Sequence, residues 1–354
     1  RDSRRTEQDG FDFRRRKLVD RVIISIEPLV RGDDDIEVYF RINEPEDVVQ
    51  ADSSRLLPCT PHQQPFVDLT AIATTDRNPL QNDLVKTVGQ EVLNGLSAHP
   101  GVREAIDRAV NSQETTERTP CPVYIKTSAT EAEALPWELL YHPDGNFLSL
   151  DPRWPMARMV GGRSNSIERS ADFPIRIAVV LGAADRDATP EWEAIREAVQ
   201  YAAVNCNFLL LAAQPQLKQS VIDQAEQNVV VEHIPQTEQE LVDRLLHENP
   251  HIVHFFCHCS ASYEGFLEIA TTNLLEGLSN EPVYLSAREL SRLRETVWLV
   301  MLDACEGATP TKTLHSYAYS LVKDGIPSAI GMREPIEASD SSVFCGAFYR
   351  AAMN

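Results

Sequence analysis

The 354-residue sequence predicts an α/β protein: a mainly parallel sheet flanked by helices, preceded by a smaller α/β subdomain. Three observations lead there. From residue 175 onward, short β-branched apolar runs alternate with amphipathic helical patterns, as strand–helix–strand units require. Two of the runs, His251-Ile252-Val253-His254-Phe255-Phe256 and Val297 to Leu302, are nearly continuous in apolar residues, which suits strands buried on both faces. Each run stops at a reactive side chain, His258 after the first and Cys305 after the second. Ligands and chemistry collect at the carboxyl ends of such strands.

Taken in order, residues 1–16 are polar and charge-rich and read as a lead-in or linker. An N-terminal subdomain is assigned to 17–166. Within it, Val22–Ile26 and Ile36–Ile42 read as strands joined through Gly32-Asp33-Asp34-Asp35, where the acidic triplet fits a hairpin tip better than a cation site. A proline-bearing stretch, 44–64, precedes helical patterns over Asn82–Ala98 and Val102–Val110 and a strand over Pro122–Thr127. Pro136-Trp137-Glu138-Leu139-Leu140 reads as a helix terminus with proline in its first turn and a buried Trp. Gly161 to Ser166 is short, polar and glycine-bearing, and marks the boundary.

The second domain is assigned to 167–354. Its predicted strands are Ile175–Leu181, Phe208–Leu211, Val229–Val231, the two apolar runs above, Phe266–Ile269 as a hairpin or edge strand, and Ala329–Ile330. Its predicted helices are Glu191–Ala203, Leu217–Gln227, Thr237–His247, Ser286–Arg294, Leu314–Lys323 and Ser339–Ala352. Thr237-x-x-Glu240 and Ser286-x-x-Glu289 fit capping boxes, and Gly325 fits a helix stop. No internal repeat is visible.

Composition narrows the class. With 43% hydrophobic and 24% charged residues, the chain has an ordinary globular balance. Its net charge of −20 argues against binding nucleic-acid phosphates. No apolar run is long enough to cross a bilayer, and no signal-peptide pattern opens the sequence. Seven scattered cysteines fit free thiols in a reducing, cytoplasmic compartment better than a disulfide framework.

Cysteine proteolysis needs a thiolate, a proton carrier and donors for a tetrahedral oxyanion. Cys305 and His258 supply the first two, as nucleophile and general base. Backbone N–H groups at Cys305 and Cys259 would supply the third, because both lie where the chain leaves a strand. His254 shares the face of His258 but lies inside the apolar run, which makes it structural. Cys257-His258-Cys259 does not suggest a metal site: on a continuing strand the thiols point away from the imidazole, and no second cysteine pair exists. No metal or other cofactor is expected.

Ala304-Cys305-Glu306-Gly307 fits the A-C-x-G part of the caspase signature, and His258 lies 47 positions upstream of Cys305, close to that signature's spacing. The chain most fully resembles the CHAT family of caspase-like proteases. The similarity lies in His254-Phe255-Phe256-Cys257-His258-Cys259, in Leu302-Asp303-Ala304-Cys305-Glu306-Gly307, in Pro136 to Leu140, and in Gly325 to Arg333 followed by Ala347-Phe348-Tyr349. It runs from about Pro122 to the end. The resemblance implies a caspase-like core, a His–Cys dyad, a protein or peptide substrate, and control by a partner protein or attached module. Related enzymes with D-x-C at the nucleophile prefer basic P1 residues, so it also implies that Asp303 lines the S1 pocket. Cys257 and Cys259 replace the glycines that usually flank the base. The competing reading is therefore an inactive CHAT-like module that binds a peptide or protein without cutting it.

Overall fold

In a computed structural model, the described residues are 22–26, 83–111, 122–127, 135–142, 145–152, 154–160, 173–260, 265–279, 281–304, 316–332 and 338–353. They fall into two compact units, one up to residue 160 and one from 173 onward. The expected lead-in, the strand at 36–42 with its acidic turn, the proline-bearing stretch, the boundary at 161–166 and Cys305 lie outside the described residues.

In the first unit, β1 (Val22–Ile26) pairs in parallel with β2 (Val123–Thr127), and β2 pairs in parallel with β5 (Met156–Val160). Parallel neighbours need a crossover, and α1 (Asp83–Ser97) and α2 (Pro100–Asn111) lie between β1 and β2 in the chain. Helix α1 buries Val85, Val88, Val92, Leu93 and Leu96, the i, i+3, i+4 spacing of one helical face. A 3₁₀ turn at Trp137–Leu139 stands where the sequence suggested a helix terminus. It rests directly on α1, because a Cβ at Gly89 would overlap the Leu139 carbonyl oxygen. Trp137 is buried, and the Arg158 fork grips both Glu138 oxygens at 2.7 Å and the Leu135 carbonyl at 2.8 Å. The short strands β3 (Tyr141–His142) and β4 (Asn146–Phe147) form a small hairpin beside this turn.

The second unit is the larger sheet. Its parallel strands are β6 (Ile175–Leu181), β7 (Cys206–Ala212), β8 (Val229–His233), β9 (Ile252–Ser260), β12 (Leu299–Ala304) and β13 (Ser328–Gly331). Across the sheet they run β8-β7-β6-β9-β12-β13. The chain therefore winds outward from β6 to β8, returns, and winds the other way from β9 to β13. The reversal falls between β6 and β9.

Helices cover both faces. Helices α3 (Thr189–Gln200), α4 (Pro215–Gln224) and the final α9 (Ala338–Ala352) contribute Trp192, Ile195, Leu217, Val221 and Tyr349 to the core on one side. Helices α5 (Glu238–Glu248), α7 (Ala287–Leu290) and α8 (Tyr317–Lys323) contribute Leu241, Leu245, Leu290, Tyr317 and Leu321 to the core on the other. A four-residue helix, α6 (Thr272–Leu275), lies between β10 (Phe266–Ile269) and β11 (Val283–Ser286) in the chain. Central strands covered on both faces bury every side chain, hence the continuous apolar runs in the sequence.

Local signals behave as expected at several ends. Thr237 and Ser286 each accept a hydrogen bond at 3.2 Å from the N–H three residues on, Glu240 and Glu289. The expected helix at Ser286–Arg294 is shorter and split, with Ala287–Leu290 α-helical and Ser291–Glu295 3₁₀. Strand β9 differs more. It does not end at Phe256. Beyond its parallel pairing with β6 and β12, residues His258–Ser260 pair antiparallel with β10 (Phe266–Ile269), and β10 pairs with β11 (Val283–Ser286). This hairpin carries the strand past the end of the parallel sheet. Among the described residues no helix is long and apolar enough to cross a membrane.

Candidate active site

The reversal between β6 and β9 opens a crevice at the carboxyl ends of those strands, the position where doubly wound sheets hold ligands. Two segments meet there. After Leu181, Gly182 N donates to Phe256 O at 2.8 Å, and Gly182 O accepts from Ala270 N at 2.7 Å. The end of β6 is thus stitched to β9 on one side and to the end of β10 on the other. The chain then turns out through Ala183 and Ala184 to Asp185. Facing it, His258 is the first residue of β9 beyond its parallel register with β12.

His258 Nε2 and Asp185 Oδ1 are 2.6 Å apart, with side chains 32% and 66% exposed. Partial burial pushes the Asp185 carboxyl up, but the His258 hydrogen bond and charge outweigh it and hold the group below the ordinary carboxylate range. A carboxylate accepting from Nε2–H fixes the tautomer and leaves Nδ1 as the basic nitrogen.

Below this pair, on the same face of the sheet, lies a sealed polar cluster. His254 is four residues before His258, and its Nε2 is 3.2 Å from Glu191 Oε1 of α3, both side chains being essentially inaccessible. Its Nδ1 is 3.4 Å from the Tyr349 hydroxyl of α9, and the two rings pack at 5.9 Å. Asp303 of β12 is 3% exposed, and Ser341 Oγ of α9 donates to its Oδ2. Cys345 is fully buried one helical turn on from Ser341. Burial and the Glu191 charge raise the Asp303 carboxyl to about 6, against the opposing pull of Ser341. Burial also pushes the Cys345 thiol far up. Glu191 goes the other way: burial raises it, but His254 foremost, with Cys345 and Ser342, brings it below its usual value.

Of the residues the sequence singled out, His258 stands at the crevice and Cys305 lies outside the described residues. Asp303, expected to line S1, sits in the buried cluster at 3% exposure. Cys259 lies within the β9–β10 ladder opposite Leu267, not at a strand end, because the hairpin extends the strand. Cys257 is buried in the core on the opposite face from His258 and Cys259 packs against that core, so both thiols lie across the sheet from the imidazole. His254 is buried, and its partners are the Glu191 carboxylate and the Tyr349 phenol. His251 is 4% exposed, stacked on Trp298 at 4.4 Å and bonded to Arg176.

Asp185, Glu191, Ser341 and Cys345 escaped the sequence reading. The signal for Asp185 was available in principle: it follows the first strand of the doubly wound unit, one side of the reversal point. Nothing local marks the other three.

The chain matches the CHAT domain family over residues 86–354, a span that begins upstream of the motifs read from the sequence and takes in the second unit and the first from within α1 onward. No individually curated protein matches it. The doubly wound sheet, the histidine at its reversal point and a family match over most of the length agree, and the chain belongs to the CHAT domain family, a group related to the caspase-like proteases.

Proposed function

We propose that this protein is a cysteine endopeptidase in which Cys305 is the nucleophile, His258 the general base and Asp185 the residue that orients it. One observation carries the reading. Strands β9 and β12 run in parallel register, His254 with Met301, Phe256 with Asp303 and Cys257 with Ala304, and the next residues on the two strands are His258 and Cys305. Residues at one level of a parallel pair share a face. The register therefore supports bringing the imidazole and the thiol together at the crevice.

The chemistry follows from the tautomer. With Nε2–H held by Asp185, Nδ1 takes the Cys305 proton, and the thiolate attacks the scissile carbonyl carbon. The oxyanion is assigned to the backbone N–H of Cys305, since Cys259 is engaged in the β9–β10 ladder. The imidazolium then protonates the leaving amine. Water, deprotonated by the same nitrogen, hydrolyses the thioester and returns the thiol. Control by a partner protein or attached module belongs to the proposal by analogy with the family alone. A reducing compartment is supported by the free thiols Cys206 and Cys345.

A mixed peptide library tests the reading. The wild type is expected to cleave, Cys305→Ala to be inactive, and His258→Ala to lose roughly 10²–10⁴-fold in rate. An electrophile should label Cys305 well ahead of Cys206, whose thiol burial raises to about 11, since only the thiolate reacts. Labelling of Cys305 no faster than Cys206, with no cleavage, would establish instead a module that binds without cutting. The same library reads P1. Cleavage after Arg or Lys that is lost in Asp303→Asn would assign Asp303 to S1, and any other preference would leave it to the buried cluster.

A further inference from the structure

The cluster beneath His258 holds more ligating chemistry than a hydrolytic dyad uses. Glu191, His254, Asp303 and Cys345 come from four different elements, and one ligand atom of each lies within 4.8 Å of all the others. All four are 3% exposed or less. Both Glu191 oxygens and His254 Nε2 lack an aligned hydrogen-bond partner, although the two groups are within ion-pair distance. A buried carboxylate without full hydrogen bonding is costly, and two of them close together cost more. One imidazole is a weak counter-charge for such a pair.

We propose that Glu191, His254, Asp303 and Cys345 bind a single zinc ion. The donor set is one imidazole nitrogen, one thiolate sulfur and two carboxylate oxygens. Calcium and magnesium prefer six or more oxygens, whereas a closed four-ligand site with nitrogen and sulfur is the structural zinc pattern. Bond lengths of about 2.0–2.3 Å imply ligand–ligand edges of about 3.3–3.8 Å, so the four atoms need to close in by less than about 1 Å each. The neighbours already stand where a zinc site needs them. Tyr349 can accept from His254 Nδ1–H, leaving Nε2 for the metal, and Ser341 holds the second oxygen of Asp303. On binding, the Cys345 thiol and any proton shared by the carboxylates are released to solvent. A basic P1 side chain is a poor alternative occupant. A guanidinium with hydrogen bonds of about 2.8 Å on each side is wider than the spacing of these atoms.

The ion would act upstream of the proposed chemistry, joining His254 on the His258 strand to Asp303 on the Cys305 strand and tying both to α3 and α9. The proposal does not depend on the dyad being active, because its test reads metal directly.

The whole chain, purified in zinc-containing buffer and desalted, is expected to retain one zinc per molecule by elemental analysis. Cobalt exchanged into it should show the intense visible bands of a tetrahedral site and a thiolate charge-transfer band. In Cys345→Ala the charge-transfer band should vanish and bound metal fall at least tenfold, with circular dichroism unchanged. A Cys257→Ala/Cys259→Ala variant should keep the full equivalent, separating this site from the other cysteine cluster. If Cys345→Ala does not fold, the wild-type protein alone decides, by its cobalt spectrum and by a melting temperature raised with zinc and lowered again by chelator. Wild type folded without metal, iron in place of zinc, equal zinc in wild type and Cys345→Ala, or P1 selectivity for Arg or Lys that depends on Asp303 would each overturn the assignment.

Discussion

Asp185 is the residue on which the site's electrostatics turn. It is two-thirds exposed, so its worth to stability is small, but its position against Nε2 decides which nitrogen of His258 is basic. Its carboxyl lies below the ordinary range because the pull of His258 outweighs its partial burial. The sign follows. A depressed carboxylate stabilises the fold above its unfolded value, and that contribution is lost as pH falls through the lower, folded value. Between about pH 5 and 8 the charge is therefore present throughout. Asp185→Asn should leave melting temperature in that window nearly unchanged while reducing kcat/KM about tenfold or more. A proportional fall in stability and rate would reduce Asp185 to a surface ion pair.

At the scale of elements, the join between β6, β9 and β10 positions that carboxylate, and Gly182 is its centre. A Cβ there would run into Ile269 Cγ2 and lie 3.2 Å from the Ala270 carbonyl. Gly182→Ala should therefore destabilise the protein by about 1–3 kcal/mol, read by urea unfolding. It should cost more activity than that loss of stability explains, because Asp185 is only three residues along. Much of this level was legible beforehand. Continuous apolar runs marked β9 and β12 as central strands, and the caps at Thr237 and Ser286 were found from residues three apart. What local sequence cannot show is partnership over distance. Asp185 meets His258 across 73 positions and Glu232 meets Arg244 across only 12, yet neither distance leaves a periodicity to read. For the same reason the extension of β9 was missed, since it exists only because Phe266–Ile269 folds back on it. Residues 257 and 259 were read by alternation, which needs no partner, and they lie on the face that alternation assigns them.

Seen whole, the larger unit has two cores separated by one sheet, and they are not completed in the same way. The helices that cover the core on the α5, α7 and α8 side all lie between residues 238 and 323. The other is begun by α3 and closed only by α9, which brings Ser341, Cys345 and Tyr349 at successive turns onto strands far back in the chain. Tyr349 reaches His254 across 95 residues, and Ser341 reaches Asp303 across 38. Contacts of long sequence separation carry the loop-closure entropy that other contacts must first offset, so they form late. Interactions absent from the folding transition state govern the unfolding rate rather than the folding rate. Tyr349→Phe should accordingly speed unfolding several-fold in stopped-flow measurements and leave refolding nearly as fast as in the wild type. A slowed refolding limb would put α9 in the nucleus instead. If the late order holds, the buried cluster and the crevice above it are the last part of the molecule to assemble and the first to open, and the lifetime of a competent site is the residence time of its final helix.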